Sequence, residues 1–204
     1  MLAGGPVVAN TGDVMLDALQ HFRSIARDRS SLLERLDLTP GGYAALTIHR
    51  AENTADAAAL ERVLAPVAEL AESLPVIFPV HPRTRQLLES GGARFASLPG
   101  LRLCDPLPYL DFIELEANAK AILTDSGGVQ KEAFFLSVPC LTLRRETEWV
   151  ETVEAGWNKV VGQQPVDLAA ELDEFLDRAP AKSDAFGRGD AGLRIARLTE
   201  TLFA

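Results

Sequence analysis

This 204-residue sequence predicts an α/β domain built on a parallel sheet, and three observations carry that prediction. From residue 43 onward, short apolar runs alternate with amphipathic stretches. The runs are near-continuously apolar, as strands covered on both faces must be. One of them, Ala119–Leu123, feeds through Thr124-Asp125-Ser126-Gly127-Gly128 into a helical stretch from Val129 to Leu136. That is the strand–turn–helix unit from which doubly wound sheets are made.

Taken in order, the elements follow from spacing and punctuation. Residues 1 to 10 are small and apolar with glycines, and Val7-Val8-Ala9-Asn10 reads as the tail of a strand or a linker. Thr11-Gly12-Asp13 offers caps for a helix on which Leu16, Leu19 and Phe22 recur at helical spacing. A short charged helix covers Ser30–Leu36, the charged stretch Asp28–Asp37 reads as a solvated face, and Pro40-Gly41-Gly42 breaks the chain. Tyr43–Ile48 is a strand that runs into His49-Arg50-Ala51-Glu52-Asn53. Ala57–Ser73 is a helix with Leu60, Val63, Leu64, Val67 and Leu70 inward. Pro75–Val80 is a strand ending at His81-Pro82, Arg83–Glu89 a helix, Leu101–Cys104 a short strand and Tyr109–Asn118 a helix. After the central strand and turn come a strand at Pro139–Leu143 ending at Arg144-Arg145, a short helix at Glu148–Glu154 and a last strand at Lys159–Val161. Helices at Val166–Leu176 and Asp190–Phe203 close the chain. The expected organisation is a linker with N-terminal helices over 1–40, packed on a domain of residues 41–204.

A net charge of −9 and a pI near 4.9 argue against nucleic acid or an anionic membrane as partner. No apolar run approaches the length of a membrane span, and no basic segment precedes an apolar one at the N-terminus, so no signal peptide is expected. Cys104 and Cys140 both lie in apolar runs and read as reduced core thiols, which fits a cytoplasmic protein. No His/Cys/Asp/Glu set has metal-ligand spacing, and no cofactor is expected.

In a parallel sheet, ligands bind beyond the carboxyl ends of the strands, and the noteworthy polar residues gather there. His49, Arg50 and Glu52 follow one strand, His81 the next, Asp125 and Ser126 the central one, Arg144 and Arg145 the one after. Gly127 and Gly128 let a ligand approach the backbone closely, and the helix beginning there points unpaired N–H groups and a partial positive charge at the turn. That suits phosphate. Glu132, one turn into the helix, would repel phosphate but could accept both hydroxyls of a ribose, and the two together suggest a nucleoside diphosphate. The bland alternative is an ordinary turn with Ser126 as N-cap. Arg144 should stand beside the phosphate position, with Glu146-Thr147-Glu148 adding acids and a hydroxyl at the same mouth. Arg50 could pair with phosphate or a carboxylate, or with Glu52 in a purely structural loop. His49 could donate to a leaving phosphate or shuttle a proton. For His81 a structural role is as probable as a functional one. Phe112 is either core or a wall for a flat base. Ser126 lacks the Gly-x-Ser-x-Gly setting of a hydrolase nucleophile, and Trp149 and Trp157 read as packing residues.

The ordered set His49-Arg50-Ala51-Glu52-Asn53-Thr54, Pro79-Val80-His81-Pro82, Asp105-Pro106-Leu107-Pro108-Tyr109, Thr124-Asp125-Ser126-Gly127-Gly128-Val129-Gln130-Lys131-Glu132 and Leu143-Arg144-Arg145-Glu146-Thr147-Glu148-Trp149 resembles the non-hydrolysing UDP-N-acetylglucosamine 2-epimerases. The likeness runs from about Asn10 to Ala191. That family interconverts UDP-N-acetylglucosamine and UDP-N-acetylmannosamine, and its fold is the two-domain GT-B arrangement of many nucleotide-sugar glycosyltransferases. The resemblance implies a Rossmann-like, C-terminal half of such a fold. It assigns Ser126, Gly127 and Gly128 to the diphosphate, Glu132 to the ribose, Phe112 to the uracil region, Arg144 to the phosphates and His49 to catalysis near the leaving UDP. The His81 region resembles the part that touches a second, allosteric substrate molecule in bacterial members, and Arg50 is an accessory candidate. UDP-N-acetylglucosamine or UDP is the implied partner, and a homodimer is left open.

The family is nearly twice this length, and the domain that supplies carboxylates to move the C2 proton has no counterpart here. Isomerase activity is therefore expected of the family, and little or none of the isolated chain. The alternatives are a UDP- or UDP-sugar-binding module without turnover and the C-terminal domain of a nucleotide-sugar glycosyltransferase. Asp13 stands where the family usually has asparagine, so the turn there is expected to differ.

Overall fold

Six parallel strands form one sheet in the order β3-β2-β1-β4-β5-β6. They are β1 (Ala44–Thr47), β2 (Val76–Pro79), β3 (Leu101–Cys104), β4 (Ala121–Thr124), β5 (Cys140–Thr142) and β6 (Asn158–Val160). The computed structural model describes residues 8–91, 95, 98, 100–162, 166–178, 180, 181 and 183–203. Among them the helices are α1 (Val14–Arg29), α2 (Leu32–Arg35), α3 (Ala51–Thr54), α4 (Ala57–Leu70), α5 (Pro82–Gly91), α6 (Tyr109–Ala117), α7 (Gly127–Leu136), α8 (Val150–Glu154), α9 (Leu168–Leu176) and α10 (Ala191–Phe203). The Rossmann-like α/β fold expected from the alternating pattern is the fold observed. Of the expected strand tail at 7–10, residue 7 lies outside the described residues and 8–10 are irregular.

Strand alternation divides the core into two faces. Ala44, Leu46, Ala121 and Leu123 face α4, α5 and α9, where Leu60, Val63, Leu64, Val67, Leu70, Leu88, Leu172 and Phe175 are buried. Ala45 and Ile122 face α1, α2, α6 and α7, meeting Leu19, Ala26, Leu32, Ile113, Leu115, Val129 and Ala133. All five residues assigned inward on α4 are buried.

Two features of the N-terminal helices differ from expectation. Phe22 does not enter the core: it is exposed, edge-on to Tyr109 at 5.6 Å, and Ala26 takes the buried position one turn on. The charged segment around α2 is not only a solvated face, since Leu32 is buried and Arg35 pairs with Asp111 of α6 at 2.5 Å. Spacing alone could not separate these cases, because helical periodicity leaves a wide arc of choice until the neighbouring helix is known.

The strand order reverses direction between β1 and β4, which pair in register from Ala44 opposite Ala121 to Thr47 opposite Thr124. At such a switch point the two outgoing connections part to opposite faces and leave a crevice beyond the strand ends. The crevice is flanked by the segment after β1 and by the glycine turn after β4.

Candidate functional site

Asp125 organises the junction. It is fully buried at the end of β4, and its carboxylate accepts the backbone N–H of His49 at 3.1 and 3.2 Å, that of Arg50 at 3.0 Å and the Asn53 side-chain amide at 2.8 Å. The His49 Nδ1 stands 3.3 Å from the same carboxylate. A buried carboxylate is tolerated only when so surrounded. The arrangement fixes the imidazole's orientation through Nδ1. The sequence marked His49-Arg50-Ala51-Glu52-Asn53 as a strand end; the structure adds that Ala51–Thr54 is one helical turn, with the Thr54 N–H and hydroxyl returning to the Arg50 carbonyl at 3.0 and 2.9 Å. The Arg50–Glu52 pair of the structural alternative is not the contact found; Arg50 lies 3.7 Å from Glu148.

The glycine turn is braced from below. Thr47 and Thr124 share a hydroxyl hydrogen bond of 2.6 Å, and the Ser126 N–H donates to the Thr124 hydroxyl at 2.9 Å. Ser126 caps α7, its hydroxyl accepting from the Val129 N–H at 3.4 Å. The helix therefore starts two residues earlier than periodicity suggests, with Gly127 and Gly128 as its first turn and their N–H groups facing the crevice. Gly127 is required by crowding: a Cβ there would sit 2.9 Å from the Trp149 indole nitrogen.

Trp149 is thus more than packing. Its buried Nε1 has no hydrogen-bond partner among the described residues, and its ring carries the Lys131 ammonium at 4.3 Å and meets Phe186 at 6.0 Å. Lys131 also pairs with Asp13 at 2.7 Å. Asp13 caps α1 through the Met15 N–H at 2.9 Å. Burial alone would raise the Asp13 pKa, but Lys131 and the Met15 N–H outweigh it and leave it lowered. An asparagine at position 13 could not make that charge pair.

Arg144 leaves β5 buried and is held fork-to-fork by Glu148, Nη1 to Oε2 at 2.8 Å and Nη2 to Oε1 at 2.9 Å. The Arg144 hydrogen bonds pull the Glu148 carboxyl down to about 2. A polar network, unforeseen from sequence, anchors this segment. The Asn158 amide donates to Gln130 at 3.2 Å and to the Thr152 hydroxyl at 3.0 Å, Thr142 donates to Asn158 at 2.7 Å, and Thr147 donates to Gln130 at 2.5 Å. It ties α7, β5, β6 and α8 to the mouth.

Glu132 is buried on α7 beside Tyr109 and Glu116. Burial lifts its pKa to about 7, with Tyr109 and Lys131 opposing. Glu116, fully buried on α6, is pushed well above the ordinary range by burial and then by the Glu132 charge, and neither of its oxygens has a partner among the described residues. Sequence reasoning missed Glu116; the available signal was a glutamate one helical turn after Ile113 and next to Leu115, both buried. Phe112, four residues earlier, is half-buried against the core face that includes Val129. His81 is exposed at the start of α5, its Nδ1 accepting from the Arg83 N–H at 3.3 Å. The structure brings His49, Arg50, Arg144 and the glycine turn together through Asp125 and Glu148, whereas the hydrogen bonds of His81 among the described residues are local, to the Arg83 and Arg85 N–H groups.

The profile of the family described as UDP-N-acetylglucosamine 2-epimerase matches residues 5–200. This chain belongs to that family. Among curated relatives, a UDP-N-acetylglucosamine 2-epimerase homolog of Methanococcus maripaludis is 41% identical over 198 residues, covering 96% of this chain and 55% of its own length. The UDP-2,3-diacetamido-2,3-dideoxy-D-glucuronate 2-epimerase of Pseudomonas aeruginosa is 38% identical over 192 residues, covering 93% and 51%. Among solved structures, the UDP-GlcNAc 2-epimerase of Methanocaldococcus jannaschii in complex with UDP-GlcNAc and UDP superposes with a TM-score of 0.84 at 35% identity, over 94% of this chain and 54% of that one. The chain spans about half the length of these epimerases. Among the described residues no helix is long and apolar enough to cross a membrane, and no group of three or more His, Cys, Asp or Glu could hold a metal ion.

Proposed function

We propose that this chain is the UDP-binding half of a UDP-2-acetamido-sugar 2-epimerase, with UDP-N-acetylglucosamine as substrate. The observation that carries the reading is the meeting of His49, held by the buried Asp125, with the glycine turn at the switch point of the sheet. In this reading Gly127 and Gly128 N–H groups and Arg144 take the diphosphate, Glu132 the ribose hydroxyls and Phe112 the uracil side.

Epimerisation at C2 requires removing an unactivated proton and expelling UDP, holding the unsaturated sugar, then returning the proton to the other face and UDP to C1. The Asp125 carboxylate orients the His49 ring through Nδ1, and from Nε2 the ring donates to the departing diphosphate and stabilises its charge. The N-terminal dipole of α7 works in the same direction. The acid and base acting at C2 belong to the opposite wall of a two-domain cleft, so the nucleotide half alone turns over little or nothing.

Calorimetry tests the binding assignment: UDP should bind this chain better than UMP or free N-acetylglucosamine, and Arg144→Ala should weaken UDP by about ten-fold or more. Equal or absent binding of all three would remove it. For the activity, C2 proton exchange in heavy water followed by NMR should run about 10²-fold or more below a full-length relative. A comparable rate would mean that acid and base lie within these residues.

A further inference from the structure

One carboxylate stands where the reading above puts the diphosphate. Glu148 engages both terminal nitrogens of Arg144, and its Oε1 lies 3.7 Å from Arg50. Its Oε2 comes within 3.7 Å of where a Cβ on Gly127 would stand, so the same group lies against the first residue of α7. Two guanidinium groups and the positive end of a helix thus converge on a single side-chain anion.

Two further facts define its position. The Arg144 side chain is only 8% exposed, whereas that of Glu148 is 53% exposed. A near-buried guanidinium without a counter-ion is strongly disfavoured, so a diphosphate site preformed around Arg144 needs an anion when no ligand is bound. The residues on both sides of Glu148 are held, the Thr147 side chain by its hydroxyl to Gln130 and the Trp149 N–H by the Thr147 hydroxyl at 3.0 Å. The side chain can rotate into solvent while the segment stays in place.

We propose that Glu148 is the resident counter-anion of the diphosphate subsite and that a nucleoside diphosphate binds by displacing its carboxylate from Arg144. The inference rests on the nucleotide reading above. Both Nη groups are committed to Glu148, so phosphate and carboxylate cannot use them at once. The affinity that Arg144 confers is the difference between two anions, and Glu148 sets it. Because Arg144 keeps Glu148 ionised far below neutrality, the carboxylate is a charged competitor for the guanidinium at neutral pH.

The test is calorimetry at fixed ionic strength with UDP, inorganic pyrophosphate and uridine, on the wild-type chain and on Glu148→Gln, Glu148→Ala and Glu146→Gln. Glu148→Gln keeps the shape and one acceptor for Arg144; Glu148→Ala is the second probe should the amide find a new contact. Both should tighten UDP and pyrophosphate by about ten-fold and leave uridine unchanged. Glu146→Gln removes a charge from the same segment without touching the Arg144 hydrogen bonds and should change little. UDP binding that is unchanged or weakened in both Glu148 variants would overturn the exchange alone, as would equal tightening by Glu146→Gln. Failure of UDP to bind the wild type and every variant would instead sink the nucleotide reading and this inference with it.

Discussion

Two carboxylates illustrate how environment, more than residue type, sets behaviour at the residue scale. Asp125 is buried but answered by three N–H donors and an imidazole, so its charge is accommodated. Glu132 is buried against another acid, and burial holds its pKa at about 7 against an ordinary 4.5. Between those values the folded chain keeps a proton that the unfolded chain has lost, so stability falls as pH rises through the window. The fall is at most about 1.4 kcal/mol per pH unit for each such proton. Glu116 shifts in the same direction and adds to it. Urea midpoints should therefore be lower at pH 8 than at pH 5, and Glu132→Gln should flatten the difference. A profile that rises through neutrality would show that the two acids are not buried together.

The first turn of α7 is the element on which the site depends, and its geometry rests on contact between Gly127 and Trp149. Gly127→Ala should cost about 1–3 kcal/mol through overpacking, and it should weaken UDP as the turn shifts. Trp149→Phe removes the indole nitrogen that the new methyl meets. The double variant should then recover part of the loss, with a coupling of at least ~0.5 kcal/mol in a double-mutant cycle followed by denaturation. Strict additivity would mean that Gly127 is needed for ligand approach alone. The same element shows where pattern reading stopped short. Ser126, Gly127 and Gly128 were legible as a turn, but the helix already includes both glycines, because a side-chain cap lets residues of poor intrinsic propensity start a helix.

For the whole molecule, the division at residue 40 is one of sequence and not of stability. Leu19 and Ala26 of α1 and Leu32 of α2 are buried in the face that covers Ala45 and Ile122, and Asp17 receives the N–H groups of Ala191 and Gly192 at the start of α10. A chain cut to residues 41–204 should lose about 3 kcal/mol or more, since each large buried side chain contributes roughly 1.5–3 kcal/mol. Thermal unfolding compared with the full chain checks this. An unchanged melting temperature would make residues 8–36 an appendage.

By itself the sequence determined the α/β class, the parallel sheet, the strand ends that carry polar residues and the family, because these depend on local periodicity and on short motifs whose members are neighbours in the chain. It also placed His49 and Arg144 just beyond strand ends and Glu132 about one turn into the helix after the glycine turn. What tertiary structure alone decided is which charge meets which. Arg50 turns to Glu148 and not to Glu52, Lys131 to Asp13 across 118 positions, and Glu132 to Glu116 from a neighbouring helix. Periodicity gives the face a side chain occupies but not the partner opposite it. Ion pairs, buried acids and hydroxyl networks are settled by distances of a few ångströms between segments far apart in the chain.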